Sequence, residues 1–223
     1  MMVINSAAGN KIFVSWSGGK DSYLSLLRAV EQGLEVAFLL CFIGSDGQSR
    51  SHGLSVEMLR YQAEALAIPL ETEEVTWESY ENGFERAVGR LKERGVTGGV
   101  FGDINLPEHR EWVEKMCNRC AIDFNLPLWH LEERKVSEEL VKRGGKALIV
   151  SIRSDLVNES WLGKFIDEAF LDYCEGEGIS PCGEGGESHS LVVGGPRFRF
   201  PLKYYTGEVV REAQRALLAV YKA

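Results

Sequence analysis

A chain of 223 residues, 44% hydrophobic and 26% charged, has room for one large domain or two small ones and enough apolar material for a core, which excludes a disordered protein. The formal net charge of −8 argues against a nucleic-acid partner, because a broad footprint needs clustered Lys and Arg. The longest apolar run, residues 36–43, is far too short to span a membrane.

Residues 1–11 lack the charged start and apolar stretch of a secretory leader. Residues 11–17, rich in Ile, Val, Phe and Trp, predict a buried strand. Residues 21–32 then predict a helix, with Leu24, Leu27 and Val30 at helical spacing and Gly33 as its stop. A second apolar strand at 34–43 is followed by a helix at 55–67, which Pro69 stops. A strand at 70–76, a helix at 78–94 and a strand at 97–104 come next. A helix at 108–124 and a short strand-like run at 126–129 complete this half. Such alternation, with near-continuous apolar strands, predicts an α/β fold whose parallel sheet is covered on both faces.

Beyond about residue 130 the rhythm changes. The pattern predicts a helix at 133–143, a strand at 146–152, a long amphipathic helix at 161–174 and a Gly-rich stretch at 175–186. Two strand-like runs and a final helix at 209–221 end the chain. Residues 1–130 and 131–223 therefore read as two domains, the second a smaller α+β unit. The five cysteines have no framework spacing and read as reduced thiols of a cytoplasmic protein.

The strongest chemical signal is Ser17-Gly18-Gly19-Lys20-Asp21-Ser22, between the first strand and the first helix. Two glycines let backbone N–H groups approach an anion, and the helix start adds the positive end of its dipole. Lys20 brings a charge and Ser17 and Ser22 bring hydroxyls, while Asp21 either holds a magnesium ion or caps the helix. Counting excludes two rival phosphate motifs. A Walker A loop requires Gly and Ser or Thr where Val14 and Asp21 stand, and no Gly-x-Gly-x-x-Gly occurs. Ligands on parallel sheets bind at the carboxyl ends of the strands, where this loop lies.

The string resembles the PP-loop signature of the N-type ATP pyrophosphatases, which split ATP between the α and β phosphates and form an adenylated intermediate. The likeness extends along the chain. His52, Gln62-Ala-Glu-Ala-Leu66 with Ile68-Pro69, and Phe101-Gly102-Asp103-Ile104 look like the diphthine–ammonia ligase family. So do His109-Arg110-Glu-Trp112, Pro127-Leu-Trp129, Trp161-Leu-Gly-Lys164 and Cys182-Gly-Glu-Gly-Gly-Glu187, all in family order. The resemblance implies an adenine-nucleotide α-hydrolase-like first domain and a family-specific second one. It also implies amidation of the diphthine carboxylate on elongation factor 2 with ATP and ammonia. On this chain Ser17, Gly18, Gly19, Lys20, Asp21 and Ser22 would hold the pyrophosphate end of ATP, with Gly102 and Asp103 nearby. Glu184, Gly185, Gly186 and Glu187 would face the substrate, so Lys20, Asp21, Glu184 and Glu187 are the catalytic candidates. One stretch departs from the family: Ser188-His189-Ser190 stands where relatives tend to have an aromatic residue, then Glu or His, then Thr. That leaves the acceptor open between elongation factor 2 and another carboxylate.

Other residues have competing readings. Glu184 and Glu187 suit either a magnesium site or capture of ammonium, against a solvated acidic turn. His52, His109 and Arg110 read as cleft lining or as surface, and the histidines have no metal-binding spacing. Cys182 is a nucleophile if His189 acts as its base, or a small residue in a tight turn, which is the reading preferred. Cys117 and Cys120 form a Cys-x-x-Cys pair of the kind a PP-loop tRNA sulfur transferase uses, but they share one helical stripe with Trp112, Val113 and Met116, which favours packing. A non-catalytic nucleotide-binding protein is the other alternative. No glutaminase-like segment is visible, so ammonia would be free. The oligomeric state is not legible, a homodimer being one option.

Overall fold

The computed structural model describes residues 10–223, so the absence of a leader, read on residues 1–11, concerns positions that lie mostly outside the described ones. Five strands form a parallel sheet in the order β3-β2-β1-β4-β5. They are β1 (Lys11–Ser15), β2 (Glu35–Ile43), β3 (Leu70–Glu74), β4 (Val96–Val100) and β5 (Asp123–Asn125). Four helices alternate with them: α1 (Lys20–Glu31), α2 (Val56–Leu66), α3 (Tyr80–Glu93) and α4 (Pro107–Cys120). The predicted α/β class is therefore what the chain adopts.

Strand alternation sends neighbouring side chains to opposite faces. Ile12, Val14, Leu39 and Cys41 pack with Leu24, Leu27, Met58 and Leu59 of α1 and α2. Phe13, Phe38, Leu40 and Phe42 pack on the other face with Phe84, Val88, Val113, Met116 and Cys117 of α3 and α4. Cys117 is fully buried there and Cys120 packs at the edge, as the stripe implied.

The rest of the chain forms α5 (Glu133–Lys142), β6 (Lys146–Arg153), α6 (Glu168–Glu177), β7 (Ser188–Gly194), β8 (Tyr204–Glu212) and β9 (Arg215–Lys222). Its four strands make an antiparallel sheet in the order β7-β6-β9-β8. The inner face of that sheet, with Ile149, Leu191 and Val192, joins the same core as α1 and α2.

Three sequence expectations need correction. The final helix is instead the β8–β9 hairpin, which reverses at Ala213 (φ +50°) and pairs Glu212 with Arg215. Residues 209–221 are rich in helix formers, but pairing of β9 with β6 buries Ala216 and outweighs that weak preference. The long helix at 161–174 begins only at Glu168, where the Asp167 carboxylate accepts the Phe170 N–H at 3.0 Å. Before it, Ile166 N–H donates to Ala147 O at 2.8 Å, so the segment runs beside β6 in extended form. Lastly, α4 ends at Cys120 because Ala121 turns left-handed (φ +50°), which moves the fifth strand upstream to Asp123–Asn125 and leaves 126–129 as a turn.

Candidate active site

In a sheet ordered 3-2-1-4-5 the connections leave β1 and β4 toward opposite sides, and a crevice opens between their carboxyl ends. That crevice is a cavity of about 260 Å³, bounded by the end of β1, the start of α1, Gly102 and Asp103 after β4, and the loop carrying Cys182 and Glu184. Gly18 takes a left-handed φ of +82°, which a β-carbon would strain. Gly102 packs so close to α1 that a β-carbon would sit 3.0 Å from the Asp21 carbonyl carbon and 3.1 Å from Ser22 N.

The second sheet grips the phosphate loop. Val192 N–H donates to Gly18 O at 2.9 Å, and the Lys20 N–H donates to Ser190 Oγ at 3.2 Å. Buried Gln62 donates from Nε2 to Gly18 O at 2.8 Å and to Val192 O at 2.7 Å, while its Oε1 accepts Trp16 Nε1–H at 3.0 Å. Ser17 Oγ accepts the Gly19 N–H at 3.2 Å and lies 3.1 Å from Ser22 Oγ. Two loop amides are thus held by hydroxyls that can rotate away for an incoming oxyanion.

Lys20 is almost completely buried. Its Nζ donates to both Asp21 carboxylate oxygens at 2.7 Å and to Cys182 O at 2.6 Å. Burial alone would pull the ammonium down, but the Asp21 carboxylate in contact with it, aided by Glu184, holds it above its usual range. Asp21 therefore does not cap α1, whose N-cap Gly19 has no side-chain bond; it holds the lysine. Glu184 accepts the Asn105 N–H at 3.2 Å, and burial pushes its carboxyl upward. His109 Nδ1 lies 3.1 Å from Asp103 Oδ1, a contact that raises the imidazole above 6.5. A pair of this sign stabilises fully below 6.5 and fades as pH rises through the higher folded value. The melting-temperature gap between wild type and His109→Gln is therefore expected to be wider at about pH 6 than at about pH 9.

His52 and His189 both line the crevice and stack with ring centroids 4.5 Å apart. Six other predicted residues do not line it, among them Gly18 and Gly19, which shape the loop beneath the crevice wall. Arg110 donates to Glu114 Oε1 at 2.7 Å and lies over Trp129. Gly185 and Gly186 lie beyond Glu184 in the loop. Glu187 turns away, with its carbonyl accepting the Arg153 N–H at 2.9 Å and its Oε2 buried without a partner. Sequence reasoning missed Cys41, Phe42, Arg50, Tyr80 and Ser190 as crevice residues. Cys41 and Phe42 were findable, since they sit at the carboxyl end of β2 beside β1. Tyr80 reaches the crevice only through tertiary packing and has no local signal, while Ser190 belongs to the stretch that departs from the family pattern.

Cys182 is a core thiol. Its Sγ donates to Glu133 O at 3.1 Å, and burial pushes it up to about 12, so it is not a thiolate at neutral pH. Cys182→Ala is expected to keep kcat/KM within about threefold of wild type, and a loss of two orders of magnitude would make the thiol a reactant. Among the described residues no group of three His, Cys, Asp or Glu side chains is arranged to hold a metal by protein ligands alone. Among the described residues, too, no helix is long and apolar enough to cross a membrane.

The parallel sheet with its loop at the β1–α1 turn defines a PP-loop, adenine-nucleotide α-hydrolase-like fold carrying an added antiparallel sheet. Residues 10–123 match the diphthamide synthase N-terminal domain and residues 132–223 match the diphthamide synthase C-terminal domain. The chain belongs to the diphthamide synthase family. It is similar to the diphthine–ammonia ligase of Rattus norvegicus, 26% identical over 92% of this chain and 86% of that protein. The Homo sapiens diphthine–ammonia ligase is 24% identical over the same shares. The Schizosaccharomyces pombe diphthine–ammonia ligase is 26% identical over 88% of this chain but only 36% of its own length.

Proposed function

We propose that this chain amidates the carboxylate of diphthine, using ATP to adenylate it and ammonia to displace AMP. The observation that carries this is the meeting of two walls on one buried cation. Lys20 of the phosphate loop is bonded to the Cys182 carbonyl of the other family region, beside Glu184. A carboxylate is a poor electrophile until its oxygen is converted to a better leaving group. Attack by that oxygen on the α-phosphate releases pyrophosphate and gives an acyl-adenylate, from which ammonia expels AMP. Negative charge grows on the departing pyrophosphate, where Lys20, the loop amides and the α1 start stabilise it most. Ser17, Ser22 and Gly102 shape that wall, and Glu184 with His109 faces the acceptor.

Asp21 and Asp103 line the same crevice. Two carboxylates fit a magnesium ion that takes its remaining ligands from phosphates and water. When bound, such an ion neutralises charge on the leaving pyrophosphate. In this reading residues 1–130 carry ATP, 131–223 complete the acceptor side, and elongation factor 2 supplies the diphthine in the cytoplasm, where five free thiols stay reduced. The test is pyrophosphate release from ATP and magnesium with diphthine-bearing elongation factor 2 and ammonium. Release should require the acceptor and amide should form in equal amount. Nucleotide binding without acceptor-dependent release would discard the reading.

A further inference from the structure

A second cavity, about 230 Å³, lies between the loop at residues 48–55 and the β8–β9 hairpin. It reaches the surface beside Val210 and Tyr221, which are 49% and 48% exposed. Among the described residues, His52 alone lines both this cavity and the crevice. His52 Nδ1 is buried without a well-formed hydrogen bond, and its ring edge lies against Gly19 with the Ser190 carbonyl beside it. An imidazole that lines two cavities and is so poorly satisfied has hydrogen-bonding capacity left for a ligand.

We propose that this cavity admits ammonia to the acyl-adenylate, with His52 as the gate between it and the crevice. The inference rests on the ligase reading above. The lining selects the ligand class. Glu212 is its single Asp, Glu, Lys or Arg side chain, so nothing there neutralises a phosphate or carboxylate. Leu54, Leu217 and Leu218 form an apolar wall that a small uncharged amine crosses more readily than a hydrated ion. A neutral imidazole offers one N–H donor and one lone pair, which complement ammonia's lone pair and its N–H groups.

The electrostatics agree. Burial lowers His52, and His189 and Lys20 lower it further; burial, Arg215 and Lys20 bring His189 down to about 4. A place that keeps two imidazoles uncharged also disfavours ammonium. Ammonium therefore leaves its proton with water at the mouth and crosses as ammonia. The nitrogen lone pair then forms the C–N bond, the carbonyl C–O bond to the phosphate breaks with its electron pair leaving on AMP, and the extra N–H proton passes to solvent.

The experiment fills the cavity away from the crevice with Leu217→Trp and measures two quantities. The first is acceptor-dependent exchange of pyrophosphate into ATP without ammonium. The second is the KM for ammonium in amide formation. The exchange rate should stay within about twofold of wild type while the ammonium KM rises about tenfold or more. Should the indole prevent folding, Ala219→Leu narrows the same cavity with less strain, and a smaller rise of the same kind is expected. His52→Phe keeps the ring and removes both nitrogens, and should raise the ammonium KM as well. An unchanged ammonium KM in a folded cavity variant would overturn the route. Absence of exchange in the wild type would instead overturn the ligase reading.

Discussion

Lys20→Met should lower acceptor-dependent pyrophosphate release by at least about a hundredfold while leaving the chain folded. Removing one preorganised stabiliser of developing negative charge commonly costs about two to three orders of magnitude. Lys20 should sit at the upper end, because its side chain is only 5% exposed and little water can substitute for it. Arginine should not rescue it. The guanidinium is wider than an ammonium, and the Nζ position is already fixed by Asp21 and Cys182 O at 2.6–2.7 Å. Methionine also strands the Asp21 carboxylate, so a stability loss must be separated from a catalytic one. Lys20→Met combined with Asp21→Asn relieves the stranded charge; it should recover melting temperature and remain inactive. The linkage gives a second check. Lys20 is raised above 10.5 in the fold, so its stabilisation is complete below 10.5 and is lost as pH rises through the folded value. Wild type should therefore lose stability at strongly alkaline pH more steeply than the double variant. Recovery of activity in that variant would remove Lys20 from the chemistry.

The parallel half of the fold was legible because its strands are buried on both sides and its helices have one apolar stripe, two periodicities that cannot be confused over long segments. The carboxyl-terminal hairpin was not. Residues 209–221 mix Ala, Leu, Glu and Arg in a way that reads as a helix when isolated, and only the waiting edge of β6 makes them strands. The site divides the same way. Ser17 through Ser22 are contiguous and stand in the string itself, whereas Gly102 and Asp103 come from the family resemblance and lie in the loop after β4. Glu184 and Glu187 look equivalent in Glu-Gly-Gly-Glu, yet Gly186 (φ +81°) turns the chain between them and only Glu184 enters the crevice. Spacing alone does not tell which of two carboxylates a left-handed glycine turns away.

Gln62→Leu should destabilise the chain and raise the KM for ATP together. Gln62 is wholly buried on α2, and its side chain joins three things that no local pattern connects: Trp16 at the end of β1, the Gly18 carbonyl and the Val192 carbonyl of β7. Leucine fills a similar volume, so the loss is one of polar satisfaction and not of packing. Gly18 O keeps the Val192 N–H at 2.9 Å, whereas Trp16 Nε1–H loses its acceptor and Val192 O loses the Gln62 donor. Each buried polar group left unpaired costs about 1–3 kcal/mol, so a loss of about 2–6 kcal/mol is expected, read as a lower urea midpoint at unchanged slope. The same bonds hold the loop in register with the second sheet. Loosening them should weaken ATP binding before it slows the chemical step, because Lys20 and Asp21 remain bonded to each other. If Gln62 merely filled space, leucine would be neutral in both measurements. If it served the core alone, stability would fall with the KM for ATP unchanged. Only a side chain that ties the phosphate loop to β7 moves both.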